Sequence, residues 1–223
     1  MILKKDKTNK QLGESVRNFL IEKGVETPIK DCGLNELDRK EILEKSFKTI
    51  MEVLNLDLTD DSLEGTPARV AEMYMNEIFY GLDYSNFPKC TAVENKMDYD
   101  ELVIEKNINV QSNCEHHFVI IDGKCAIGYI PKKKVLGLSK LNRVVEFFAK
   151  RPQIQERLTS QIYWALAYIL ETEDIAVVLN ATHYCVKSRG VQDASSETIT
   201  SKLGGVFKEE QDLRNEFMLL IKN

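Results

Sequence analysis

Between residues 34 and 56, in LNELDRKEILEKSFKTIMEVLNL, apolar side chains return every three or four positions: Leu34, Leu37, Ile42, Leu43, Phe47, Ile50, Met51 and Leu54. That rhythm predicts an amphipathic helix. A second helix is expected in GTPARVAEMYMNEIFYGL, with Thr66 as its N-cap and Pro67 in the first helical position. Residues 83–97 are richer in turn formers and read as a connection. From about residue 100 the period falls to two. Leu102, Ile104, Ile108 and Val110 alternate with other residues, which predicts a strand. FVIIDGKCAIGYIP reads as a hairpin turning at Asp122–Gly123, a favoured two-residue turn.

Two helices follow. SKLNRVVEFFAKR carries Leu141, Val144, Val145 and Phe148, and PQIQERLTSQIYWALAYIL, starting at Pro152, carries Ile154, Leu158, Ile162, Leu166 and Ile169. DIAVVLNATHYCVK (174–187) reads as a strand, and a last helix is expected over about 208–222. The order predicts an α+β protein: a helical N-terminal region over 1–97, then an antiparallel sheet with a helical layer over 98–223.

Composition narrows the function classes. The chain has 223 residues, 43% of them hydrophobic and 29% charged, as in ordinary globular domains. Its net charge of −5 argues against a general nucleic-acid partner, which calls for basic excess. No apolar run approaches membrane-spanning length, and the opening MILKKDKTNK turns polar too early for a signal peptide. A cytoplasmic protein with no membrane partner is expected, with its five cysteines reduced.

The chemistry concentrates in two short blocks. NCEHHFVI holds Cys114, His116 and His117, and THYCVKSRG holds His183 and Cys185. All three histidines of the chain therefore lie within three residues of a cysteine. On a strand, His183 and Cys185 would project from one face. Thiolate and imidazole are zinc ligands: a closed structural site takes four, a catalytic site three with water in the fourth place. A separation of three favours Cys114 and His117 as ligands with Cys185, leaving His116 and His183 for proton transfer beside a water of lowered pKa. Spacing alone does not fix that division, and a purely structural zinc is the competing reading.

Cations and a carboxylate supply the rest. In GLSKLNR, Ser139 can cap a helix whose first turns bear Lys140 and Arg143 on one face, a natural phosphate site, although a solvated basic face fits equally. Arg189 follows the second block and Arg69 sits just after Thr66–Pro67. Gln155 and Glu156 open a helix and lie off its apolar stripe. They fit either a favourable helix-dipole placement or a pair that holds a purine edge.

At these residues the chain resembles the GTP cyclohydrolase I family. The similarity runs through GTPARVAEMY, CEHHF, GYIPKKKVLGLSKLNRVVEFFAKRPQIQERLT, THYCVKSRG and LGGVF, in order, over about residues 60 to 220. The resemblance implies zinc held by Cys114, His117 and Cys185, with His116 and His183 as acid/base groups. It implies GTP as substrate, with Gln155 and Glu156 at the guanine edge. Ser139, Lys140, Arg143 and Arg189 would then line the ribose-triphosphate end, and Arg69 would reach a triphosphate in a neighbouring subunit's site. GTP carries about four negative charges near neutral pH, matching four candidate cations. The implied reaction opens the guanine imidazole ring, releases formate and rebuilds the product as 7,8-dihydroneopterin triphosphate. The implied fold is the tunnelling fold, four antiparallel strands with two helices between the second and third. The implied assembly is a homodecamer of two pentamers with sites between subunits. The alternatives are a non-catalytic zinc-stabilised assembly protein and a same-fold deazaguanine nitrile reductase, which would use a cysteine nucleophile and a nicotinamide cofactor.

Overall fold

A computed structural model describes residues 5–222 of the chain. The N-terminal region contains the two helices that the apolar pattern predicts, α2 (Glu36–Val53) and α3 (Thr66–Met73), and a further helix before them, α1 (Lys10–Glu22). Asn9 and Asn35 cap α1 and α2, their side-chain oxygens accepting from Leu12 N and Asp38 N. The N-cap of α3 is Gly65, one residue earlier than expected, and Thr66 is already helical. Its hydroxyl accepts from Arg69 instead. Helix α1 buries Val16 and Leu20 completely, whereas α2 buries only Met51 and leaves Leu37, Ile50, Val53 and Leu54 exposed.

The expected connection over 83–97 contains a 3-10 turn and a short strand, β1 (Ala92–Glu94), which pairs with β4 (Lys134–Leu136). The main sheet has five strands in the order β5-β2-β3-β6-β7. Its strands are β2 (Val103–Cys114), β3 (Ile120–Tyr129), β5 (Pro152–Gln153), β6 (Ile175–His183) and β7 (Thr198–Leu203). Neighbours are antiparallel except β2 and β5, which run parallel at Asn113–Cys114.

Period-two alternation sorts the side chains onto two faces. Cys125, Ile127 and Tyr129 of β3, with Ile175, Val177, Leu179 and Ala181 of β6, join the large core beneath α4 (Leu138–Ala149) and α5 (Gln155–Leu170). Ala126, Ala176 and Val178 face the other way, onto Phe207 and Phe217. Those rings come from α7 (Val206–Glu209) and α8 (Gln211–Ile221).

The sheet corrects three expectations. Asp122–Gly123 is not a turn, because β3 runs straight through it and Gly123 pairs with Val110 on one side and Ala181 on the other. A Cβ at Gly123 would meet Asn180 O at 2.2 Å and Ala181 Cα at 2.6 Å. Glycine is there for close strand approach. The hairpin turns instead at residues 115–119, within the CEHHF block. Pro152 does not start α5; it lies in β5, and the helix begins at Gln155. The strand through HYC ends at His183, and Tyr184–Lys187 forms a short helical turn, α6. His183 and Cys185 therefore do not share a strand face. No described helix is long and apolar enough to cross a membrane.

Candidate functional site

The first block forms a tight turn at the end of β2. Cys114 N donates to Val119 O and Phe118 N to Cys114 O, both at 2.8 Å, which closes the turn on itself. Phe118 adopts a left-handed φ of 53°, uncommon for a large side chain, and its ring meets Phe79 at 5.5 Å. The turn is also pinned from outside. Glu115 N donates to Gln153 O of β5 at 3.0 Å, and the Glu115 carboxylate accepts from Arg157 of α5 at 2.6 Å. The Arg157 bond holds the Glu115 carboxyl below its ordinary range. So fixed, the turn leaves Cys114 buried and exposes His116 and His117.

Strand β6 ends beside this turn, with His183 paired to Ile121. The helical turn after it carries Cys185 back toward Cys114. Among the described residues, Cys114, His117 and Cys185 bring their ligand atoms within 4.8 Å of one another. Burial pushes the Cys185 thiol up, and the neighbouring Cys114 adds to the shift. Two thiols and an imidazole converging on one point suit a borderline-soft cation such as zinc. His116 lies against the cluster, with Nδ1 3.7 Å from Cys114 Sγ.

His183 turns away from the cluster to Gln155. Its Nε2 lies 2.7 Å from Gln155 Oε1. The Gln155 amide nitrogen donates to Leu179 O, Thr198 O and Thr200 Oγ1, which fixes the carboxamide with its oxygen toward the ring. That oxygen can only accept, so His183 donates from Nε2 and keeps its lone pair on Nδ1. Burial lowers the His183 pKa, with Glu156 opposing. Gln155 is 1% exposed, with its amide nitrogen taken up by those three acceptors. Glu156, one residue on, is exposed.

The cations are arranged loosely. Arg189 reaches the cluster itself, donating from Nη1 to His117 Nε2 at 2.9 Å. A guanidinium only donates, so Nε2 accepts and the neutral ring carries its proton on Nδ1. That bond and metal ligation by His117 exclude one another. Ligation through Nε2 displaces Arg189, and ligation through Nδ1 moves the proton to Nε2. Lys140 and Arg143 lie on α4 close enough to the Cys90 thiol to oppose its rise to about 12, which burial drives. Ser139 is exposed in the first turn of α4, but the N-cap is Gly137. Arg69 is exposed on α3, donating to Thr66 Oγ1 and Ser62 O.

Sequence reasoning missed Glu115 and Arg157, which are 42 positions apart, and the backbone of Gln153 behind the turn. No local pattern joins such distant partners.

A mixed α/β chain whose strand ends gather two cysteines and a histidine is equipped to hold a metal ion. The model of the GTP cyclohydrolase I family matches residues 43–222. The GTP cyclohydrolase 1 of Vibrio parahaemolyticus is 56% identical over 203 residues, 91% of this chain and 94% of that protein. Those of Aliivibrio salmonicida and Shewanella amazonensis are 54% and 53% identical, over 91% and 93% of this chain and 94% and 96% of theirs. The chain belongs to the GTP cyclohydrolase I family, a family of enzymes. A solved structure of the apo archaeosine synthase QueF-Like aligns with 47% of this chain and 95% of its own at 18% identity and a TM-score of 0.39.

Proposed function

We propose that this chain is a GTP cyclohydrolase I. It hydrolytically opens the imidazole ring of GTP, releases formate and closes the product to 7,8-dihydroneopterin triphosphate. The observation that carries the reading is the convergence of Cys114, His117 and Cys185 within 4.8 Å, beside His116 and His183, in a member of this family. These three residues are the zinc ligands. Zinc bound there supplies Lewis acidity and lowers the pKa of water.

The chain's own residues do the rest. His183 handles a proton at Nδ1, the nitrogen that Gln155 leaves free. His116, exposed against Cys114, is the second proton-transfer group. Glu156 accepts from the guanine edge, and Gln155 contributes by holding His183 in one tautomer. Arg189, once off His117, binds the triphosphate with Lys140, Arg143 and Ser139, and Arg69 reaches it from a neighbouring subunit.

The catalytic domain is read as 98–223, a tunnelling fold behind a helical region over 1–97, working in the cytoplasm as a homodecamer of two pentamers. Open sheet edges support a ring: β7 ends the sheet with Ile199 66% exposed, and β2 is covered by β5 only at Asn113–Cys114. Formate and pteridine are measured from GTP with and without a zinc chelator. Both products appear with zinc and both vanish with the chelator. A zinc-loaded protein that turns over no GTP would favour a structural metal instead.

A further inference from the structure

Directly behind the ligand turn lies an arginine that the proposed chemistry does not use. Arg151 is 0% exposed, although it sits in the loop between α4 and α5. Its guanidinium lies about 5 Å from the rings of Tyr84, Phe147 and Phe148 (5.1, 4.9 and 4.9 Å to the centroids). A charge so enclosed must be paired. Its partners come from far upstream. Nη1 donates to Glu26 Oε1 and Thr27 Oγ1, each at 3.3 Å, and Nη2 donates to Gly81 O. Tyr84 OH closes the ring of contacts by donating to Glu26.

The same segment holds a second buried chain of bonds. Gln161 donates to Val25 O at 2.9 Å and to Thr27 Oγ1 at 3.1 Å. Its oxygen accepts from Gln153 at 2.7 Å. Both chains therefore end on the stretch Arg151–Gln153. That stretch is the outer support of the metal turn. Arg151 O accepts from Ser112 Oγ, β5 pairs with Asn113 and Cys114, and Gln153 O accepts from Glu115 N. Residues 25–27 lie before residue 43, where the family match begins.

We propose that the segment Val25–Thr27 is a buttress of the ligand turn. Glu26 and Thr27 fix Arg151 and Gln161, these fix β5, and β5 fixes the backbone of Cys114 and Glu115. Glu26 and Arg151 are positioning residues. Metal sites lose affinity when the groups that orient their ligands are loosened. This consequence for zinc rests on the Cys114–His117–Cys185 reading, whereas the mechanical coupling does not.

Amide hydrogen exchange on the full-length, metal-free protein tests the coupling. Glu26→Gln keeps the shape of the side chain and removes its charge. It should speed exchange at Cys114, Glu115 and Phe118 by about tenfold or more, while Ile127 and Val177 in the sheet centre stay unchanged. Phe217→Leu, in the separate core on the opposite face, is the matched control for lost stability and should leave the turn unchanged. In chelator competition, Glu26→Gln should weaken zinc binding by about 10–100-fold. Arg151→Lys, which keeps the charge without the planar fork, should fall between wild type and Arg151→Met. Unchanged exchange in the turn of Glu26→Gln, or exchange that rises equally across the whole sheet, overturns the buttress. Should Cys185→Ser bind zinc as tightly as wild type, the metal reading falls while the exchange data still decide the coupling.

Discussion

The two ends of the site are built in opposite ways. At the metal end, backbone bonds close the turn over Cys114–Val119, β5 supports it, and Arg157 clamps Glu115. At the proposed anion end, Ser139, Arg69 and Arg189 are exposed side chains on helix starts and a turn. A metal tolerates little error in ligand placement, so its ligands are set by sheet geometry. A triphosphate is flexible and highly charged, and long cationic side chains can close on it after it arrives. Arg189 touches both ends, since it donates to His117, and in the proposed reading it leaves that ring when metal and triphosphate bind.

The contrast breaks most severely at a ligand. Cys185→Ser removes a thiolate from the rigid end, and both stoichiometric zinc and GTP turnover should be lost. Metal analysis beside a formate assay checks this, and a variant that keeps zinc and activity would refute the ligand assignment. His183→Ala should separate chemistry from binding, because His183 points to Gln155 and not into the cluster. Zinc stays bound while kcat falls by about 10²–10⁴-fold. Loss of the metal in that variant would make His183 a ligand.

Gln155→Leu tests how far the rigidity extends. Without the amide oxygen, nothing holds the His183 tautomer, and kcat should drop by about 10–100-fold with zinc and the KM for GTP little changed. A rise in KM alone would return Gln155 to the guanine edge. At the loose end, Arg189→Met should raise the KM for GTP about tenfold, less so at high salt. Its zinc affinity should not fall, because the bond to His117 competes with ligation. Weaker zinc binding there would mean that Arg189 supports the ring and does not compete for it.

The smallest effect concerns a half-buried thiol near the loose end. Burial raises the Cys90 thiol to about 12 from the ordinary 9.0, which leaves about a thousandfold less thiolate at pH 8. An aromatic disulfide reagent should therefore modify exposed Cys32 quickly and half-buried Cys90 far more slowly. Rapid labelling of Cys90 in the native protein would show that α4 opens readily.

Much of this was legible without coordinates. Apolar spacing located α2, α4 and α5, because a helix that covers a core repeats its contacts every three or four residues and writes them locally. The clustering of three histidines with Cys114 and Cys185 marked both halves of the candidate metal site for the same reason, since donors on one turn are close in sequence. What lay beyond reach depended on who sits across a sheet. Asp122–Gly123 has the chemistry of a turn, yet its glycine is needed where β3 meets Asn180 and Ala181, so the turn moved to the histidine block. Gln155 has the polarity of a surface residue, yet one acceptor from β6 and two from β7 draw it inside. Nothing local marks Arg151 at the end of SKLNRVVEFFAKR as buried, because its partner Glu26 lies 125 positions upstream. Short-range periodicity and composition encode the helices that cover the core and the types of the candidate ligands. Which of those residues converge, and which others hold them there, depends on contacts between segments far apart in the chain, and such contacts leave no local trace in the sequence.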